Sequence, residues 1–224
     1  MGKRSLFFML MLCLGCGIHA SAQFRIGAEV GYLNSNYALE GGPKHSTPGF
    51  LAGVIASYTI RDIGWLESGL TIQQKGVHFE PLYIESIPAS INDVQMKAYY
   101  LDLPLLVGLK FNISKELSIL PKAGGFLSYG LHAEAAFAGQ TSEGEAFTVK
   151  YNPFTALGHI GATVDPLLIR MGYDRFDVGF QAGLDVMWKQ YALRGAYKQG
   201  LNSHDFFSYR MNCRTFSVSL AYYF

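Results

Sequence analysis

The sequence predicts an all-β fold: an eight-stranded, antiparallel, up-and-down transmembrane β-barrel with short periplasmic turns and long outer loops. Three observations carry this expectation. Apolar residues recur with period two in segments of about ten residues. The links between segments alternate strictly between short and long, as in outer-membrane barrels. Aromatic residues gather near segment ends, where interfacial girdles sit.

The N-terminus precedes the barrel. Lys3 and Arg4 form a basic start, Leu6 to Leu14 an apolar run, and Ala20-Ser21-Ala22 a signal-peptidase pattern. Residues 1–22 are therefore expected to be a signal peptide cleaved before Gln23, and residues 23–224 the barrel domain. A lipidated Cys16 is the rival reading; the residue before it, Gly15, is suitably small, but the position three before it is poor. Cleavage removes Cys13 and Cys16 and leaves Cys213 alone, so cystines do not stabilise the mature chain.

The strands follow in order. In the first, Phe24, Ile26, Ala28, Val30 and Tyr32 oppose Arg25, Gly27, Glu29 and Gly31. Weaker alternation marks the second and third, near 49–60 and 65–79. In the fourth, Tyr99, Leu101, Leu103, Leu105, Val107, Leu109 and Phe111 oppose Tyr100, Asp102, Pro104, Leu106, Gly108 and Lys110. The fifth lies near 117–131. In the sixth, Phe176, Val178, Phe180, Ala182, Leu184, Val186 and Trp188 oppose Asp177, Gly179, Gln181, Gly183, Asp185 and Met187. The seventh lies near 191–200, and the eighth sets Phe216, Val218, Leu220, Tyr222 and Phe224 against Thr215, Ser217, Ser219 and Ala221.

Short links join strands at Arg61 to Gly64, Asn112 to Glu116 and Lys189-Gln190; long ones span 38–48, 80–98, 132–175 and 201–214. Every short turn thus lies at one end. Alternation alone leaves the inward face open, since a soluble lipocalin-type barrel turns its apolar face in. Lipid is favoured by the girdles: Phe24, Tyr58, Trp65, Phe111, Trp188, Tyr222 and Phe224 at one end, Tyr32, Phe50, Phe79, Tyr99, Phe176 and Phe216 at the other. A polar face rich in Gly and Ser suits the crowded interior of eight strands.

The composition agrees. Half the residues are apolar and only 16% charged, which excludes a disordered chain. A formal charge of +1 without a basic block gives nucleic acid nothing to bind. No apolar run after residue 22 is long enough for a transmembrane helix.

Tyr100-Leu101-Asp102-Leu103-Pro104-Leu105, followed by Gly108-Leu109-Lys110-Phe111, resembles the YLxxPLL…KF strand of the PorT-like outer-membrane β-barrel family of Bacteroidetes-type bacteria. Glu67-Ser68-Gly69-Leu70 with Gln74-Lys75-Gly76 resembles that family's third strand. Asp177-Val178-Gly179 with Gly183-Leu184-Asp185 resembles its Asp/Gly strand, and Leu220-Ala221-Tyr222-Tyr223-Phe224 its C-terminal signature. The resemblance implies an outer-membrane barrel; some relatives serve protein secretion, and most have no assigned role. Its motifs are architectural, and the 132–175 stretch carries least of them.

Chemistry is expected to be sparse. The acids Glu29, Glu67, Asp102, Asp177 and Asp185 share the polar face with Arg25, Lys75, Lys110, Lys122, Arg194 and Lys198. Near-neutrality argues for a paired lumen network rather than a selective pore. His45, His78, His132, His159 and His204 lie in or beside the long loops. Ser203-His204-Asp205 and His78 near Glu80 are raw material for a rim hydrolase or acyltransferase, but no motif fixes their geometry. Metal-ligand spacing is absent, and no cofactor is expected. Cys213 is read as an inert thiol, Pro104 as a lumen-side bulge, and Pro166 to Met171 as either a lid over the mouth or extra strand.

The functional expectation is a non-enzymatic protein of the cell outer membrane, structural or partner-docking, serving secretion as an accessory. Its partners are outer-membrane lipid, the assembly machinery that reads Tyr222 and Phe224, and envelope or secretion proteins that meet the outer loops, above all 132–175. The alternatives are the rim enzyme, a small-solute channel and the soluble lipocalin-type barrel.

Overall fold

The computed structural model describes residues 24–39, 46–79, 89–141, 144–154, 175–202, 204–206 and 209–224. The proposed signal segment, His45, Glu80, His159, Ser203 and the run from Pro166 to Met171 lie outside them. The described strands are β1 (Phe24–Leu39), β2 (Thr47–Ile60), β3 (Gly64–Phe79), β4 (Ala89–Leu109), β5 (Phe111–Asn112), β6 (Leu117–Thr141), β7 (Ala146–Tyr151), β8 (Phe176–Trp188), β9 (Tyr191–Gly200), β10 (His204–Phe206) and β11 (Tyr209–Tyr223).

Eight of them make the barrel. The order β1-β2-β3-β4-β6-β8-β9-β11 is antiparallel throughout, and β1 pairs β11 from Gly27↔Tyr223 to Leu39↔Met211, closing the ring. Closure satisfies the backbone of the edge strands, which a membrane demands. The short β5 and β7 add to β6, and β10 adds to β11.

Alternation sets the two faces. Phe24, Ile26, Val30, Leu105, Val107, Phe180, Leu184, Val218 and Leu220 are exposed on the outer wall, and their sequence neighbours turn inward. Trp65 departs from the girdle expectation. It shares the parity of Glu67 and Thr71, so it points into the lumen, where it is 1% exposed. The lumen is also less purely polar than the Gly/Ser pattern suggested, since Tyr100, Leu106, Leu120, Phe126 and Tyr223 fill it.

Three stretches expected as loop are partly strand. β4 starts at Ala89, β6 continues to Thr141 and β11 starts at Tyr209. The pattern there is inverted: Met96 and Ala98 face inward, buried, while Gln95 and Lys97 face outward, exposed. That is the pattern of a sheet whose outer side has left lipid for water. A bulge accompanies the change, as Tyr99 pairs His132 but Tyr100 pairs Gly130. The inward parity of β6 therefore moves from Phe126 and Ser128 to Ala133 and Ala135.

Pro104 points into the lumen without a bulge. Its register with β6 is regular at Phe126. Toward β3 the ladder passes from Ser68↔Leu105 to Thr71↔Asp102, so the pairs opposite Pro104 drop out because proline brings no N–H. Ser68 compensates by donating its hydroxyl to the Pro104 carbonyl at 2.9 Å.

Candidate functional site

Two regions qualify: the lumen, where the sequence placed its charges, and the part of the sheet above the girdle. The lumen is layered. At the turn end Ile55, Trp65, Leu120, Met187, Ala192, Ala221 and Tyr223 form an apolar plug. Trp65 and Tyr223 meet edge to face with ring centroids 6.0 Å apart.

Above the plug lies the first ionic layer, centred on Glu67. Its Oε2 accepts from Trp65 Nε1 at 3.2 Å and from the Tyr223 hydroxyl at 3.3 Å. Its Oε1 accepts from Lys122 Nζ at 2.9 Å and from Arg194. Lys122 also reaches Asp185 at 2.6 Å, and Arg194 reaches Asp185 at 3.3 Å and Glu29 at 2.7 Å. Ser219 donates to the other Glu29 oxygen at 2.5 Å. Three carboxylates thus enclose two cations, each cation held by at least two acids.

The second layer is nearer the loops. Lys198 Nζ lies 2.5 Å from Asp102, which also accepts from Ser128. The Phe126 ring has two ammonium groups over it, Lys198 at 5.3 Å and Lys75 at 5.6 Å from its centroid. Lys75 also sits 4.7 Å over the Tyr100 ring, so aromatic faces stabilise a cation that has no ion pair among the described residues. Asp177 is buried, and its Oδ1 has no hydrogen-bond partner among those residues.

Between the layers a cavity of about 20 Å³ is lined by Glu29, Gln73, Gln181, Arg194, Lys198 and Ser217, among others. That is room for about one water molecule. Among the described residues the lumen holds most of its charges in pairs and is closed below by the apolar plug.

Arg25 and Lys110 stand apart from these layers. Arg25 is half-buried at the turn end of β1, and Lys110 is half-buried in the β4–β5 link, where its amide donates to Ile63 O at 2.7 Å. Neither forms an ion pair among the described residues. Their place on the polar face was legible, but not that the face ends below the plug. Trp65, Tyr100, Phe126 and Tyr223, which organise the charges, were missed as functional partners. Parity was the available signal, because Trp65 is two residues from Glu67 and Tyr223 four from Ser219.

His78 and His132 are both exposed on the upper rim, and His132 Nδ1 lies 3.4 Å from the Asn152 side chain. Among the described residues no group of three His, Cys, Asp or Glu side chains is placed to hold a metal. Cys213 is buried, with its Sγ 3.7 Å from the Thr215 hydroxyl. At the chain's end Tyr222 donates to Gln190 at 3.2 Å, its ring packs against Tyr191 and Phe224, and the Phe224 amide donates to Ile26 O at 2.8 Å.

Above the girdle β4 and β6 continue, with β3 paired to β4 as far as Phe79↔Val94 and β7 added to β6. Gln95, Lys97, Glu134, Thr148 and Lys150 line a recess of about 320 Å³ on the outer face, with Lys150 3.2 Å from Glu134. Just after β7, Phe154 packs against lumen residues near the mouth. Phe154 meets Tyr100 edge-on at 5.9 Å, and Arg175 lies 5.6 Å from the Phe154 ring. Gly130 permits this approach, because a Cβ there would overlap the Phe154 ring.

Comparison with known families identifies the chain. The outer membrane protein beta-barrel domain family matches residues 19–205. No curated protein matches the chain significantly. Among solved structures, the chain is similar to Ail, the attachment invasion locus protein of Yersinia pestis, at 16% identity and TM-score 0.44, covering 91% of this chain and 100% of Ail. It is also similar to Neisserial surface protein A, at 13% identity and TM-score 0.42, covering 91% and 98% of the two chains. AlkL, an outer membrane protein, matches at 9% identity and TM-score 0.40, covering 91% of each. With its ring of eight antiparallel strands closed and its apolar wall turned outward, the chain belongs to the outer membrane protein beta-barrel domain family and resides in the outer membrane.

Proposed function

We propose that this barrel works without catalysis, as an outer-membrane scaffold that docks envelope proteins on the β4–β6–β7 sheet above the girdle. The observation that carries this reading is the pairing of a packed lumen with a projecting sheet: among the described residues side chains fill the interior, while a recess bearing Lys97, Glu134 and Lys150 is presented outside. Recognition commonly sits on segments held by a rigid scaffold. Within the family, the PorT-like resemblance of the β4 motif supports the finer assignment, an accessory to protein secretion. The assembly machinery reads β11, with Tyr222 and Phe224 as its apolar anchors; supporting this, both rings lie at the turn end and Phe224 is 74% exposed.

The test is affinity purification from native outer membranes with three proteins. These are the intact barrel, a variant with residues 144–174 replaced by a short turn, and a His78→Ala/His132→Ala/His204→Ala variant. The expected result is specific envelope partners with the intact and histidine variants and none with the shortened one. Capture of nothing specific by the intact barrel overturns the docking reading. A lipid-hydrolysing or proteolytic activity lost in the histidine variant replaces it with the rim enzyme.

A further inference from the structure

One stretch of the lipid-facing wall is recessed. Two hollows of about 560 and 540 Å³ share Ala123 and Ala182, and so form one groove across β4, β6, β8 and β9. It runs from Leu109 and Pro121 near the turn end to Tyr197 and Gln199 toward the loop end. The floor is low because the outward positions of β6 and β8 here are Ala123, Gly125 and Ala182.

The loop end of the groove is polar and ordered. Tyr197 donates its hydroxyl to Gln199 Oε1 at 3.1 Å, and Gln199 Nε2 donates to Gly200 O at 3.1 Å. Beside Gln199 on β11 stands Arg214, exposed on the outer wall, one outward position above the girdle residue Phe216. Among the described residues its guanidinium has no carboxylate partner. A cation at head-group depth beside the open end of an apolar groove matches the two halves of one molecule, an acyl chain and a phosphate. A second copy of the barrel fits less well. The lumen takes up the carboxylates of Glu29, Glu67, Asp102, Asp177 and Asp185, so the described membrane-spanning wall offers no outward acid to face Arg214.

We infer that this groove is a lipid site selective for an anionic head group. The acyl chain lies along Ala123, Gly125 and Ala182, and Arg214 takes the phosphate with the two-pronged geometry that guanidinium offers. The outer wall is then not uniform toward lipid: one sector holds a chosen molecule.

Native mass spectrometry of the detergent-solubilised barrel, incubated with phosphatidylglycerol or phosphatidylcholine of equal chain length, tests this. The intact protein is expected to retain phosphatidylglycerol about tenfold better, because both lipids offer Arg214 a phosphate but phosphatidylcholine also brings a quaternary ammonium that Arg214 repels. Arg214→Gln is expected to abolish the preference while both lipids still bind. Ala123→Leu with Ala182→Leu is expected to lower retention of both, with unheated gel mobility showing the barrel folded. Equal retention of the two lipids by the intact protein overturns the inference. So does release of phosphatidylglycerol by excess inorganic phosphate, which assigns the site to free anions. Dimers that vanish in the double leucine variant assign the groove to a second copy and overturn it as well.

Discussion

Glu67 shows how one side chain organises a lumen. It accepts from a tryptophan, a tyrosine, a lysine and an arginine, so it ties the apolar plug to the ionic layer above. Removing it takes one of the two acids that hold Lys122 and one of the three that hold Arg194, and leaves the buried Trp65 and Tyr223 donors without their shared acceptor. Glu67→Ala is therefore expected to destabilise the barrel by about 3–5 kcal/mol. Urea unfolding in lipid vesicles, followed by the fluorescence of neighbouring Trp65, measures this. The exposed Lys189–Glu116 pair, 3.3 Å apart, is the contrast, and Lys189→Ala is expected to cost less than about 1 kcal/mol. At this scale the sequence located the charges but not their company. Parity puts Glu67, Asp102, Asp185, Lys122 and Arg194 on one face. Which acid meets which base depends on register between strands far apart in the chain, as with Arg194 and Glu29.

A strand earns its place by which medium each face meets, and β4 meets two. Below Tyr99 its outward side is apolar, with Leu105, Val107 and Leu109 exposed to lipid. Above it the sense reverses, with Lys97 and Gln95 outward. A reading that looked only for apolar-outward alternation stopped at the reversal, and so placed 89–98 and 132–141 in loops. Leu105→Arg is expected to cost about 2–4 kcal/mol if it lies near the midplane, read by the urea midpoint. Ser217→Lys, on the opposite face of β11, adds a third cation beside Arg194 and Lys198 around the small cavity. Its damage is expected to appear as loss of compact unheated mobility rather than loss of membrane partition; equal responses at both positions would overturn the assignment of faces. The last strand carries a separate expectation. Phe224→Asp removes an apolar ring beside Tyr222 while sparing the backbone bond to Ile26, so the effect is on recognition during assembly. Accumulation in the periplasm, or degradation, with normal refolding of the purified variant in detergent, is the expected pair of results.

The whole molecule is a sealed ring, and its permeability follows from that. The apolar plug and the small size of the cavity between the ionic layers predict no steady conductance when the purified barrel is inserted in planar bilayers; regular current steps would show that the interior opens. Strand number and the common side of the short turns were legible, because both follow from local alternation and link length. The upper sheet was not, since β7 is recognisable only by its pairing with β6. The closing seam has a further consequence. β1 and β11 lie side by side, and the Phe224 amide is bonded to Ile26, so the two ends of the described strand order are neighbours at the turn side. A ring of this kind has no privileged first strand. Joining residue 224 to residue 24 and reopening the chain within 113–116 keeps every strand beside its present neighbours and changes only the order in which they are made. If such a permuted chain reaches the same heat-resistant form, the architecture is a property of adjacency, and synthesis order is one of several routes to it.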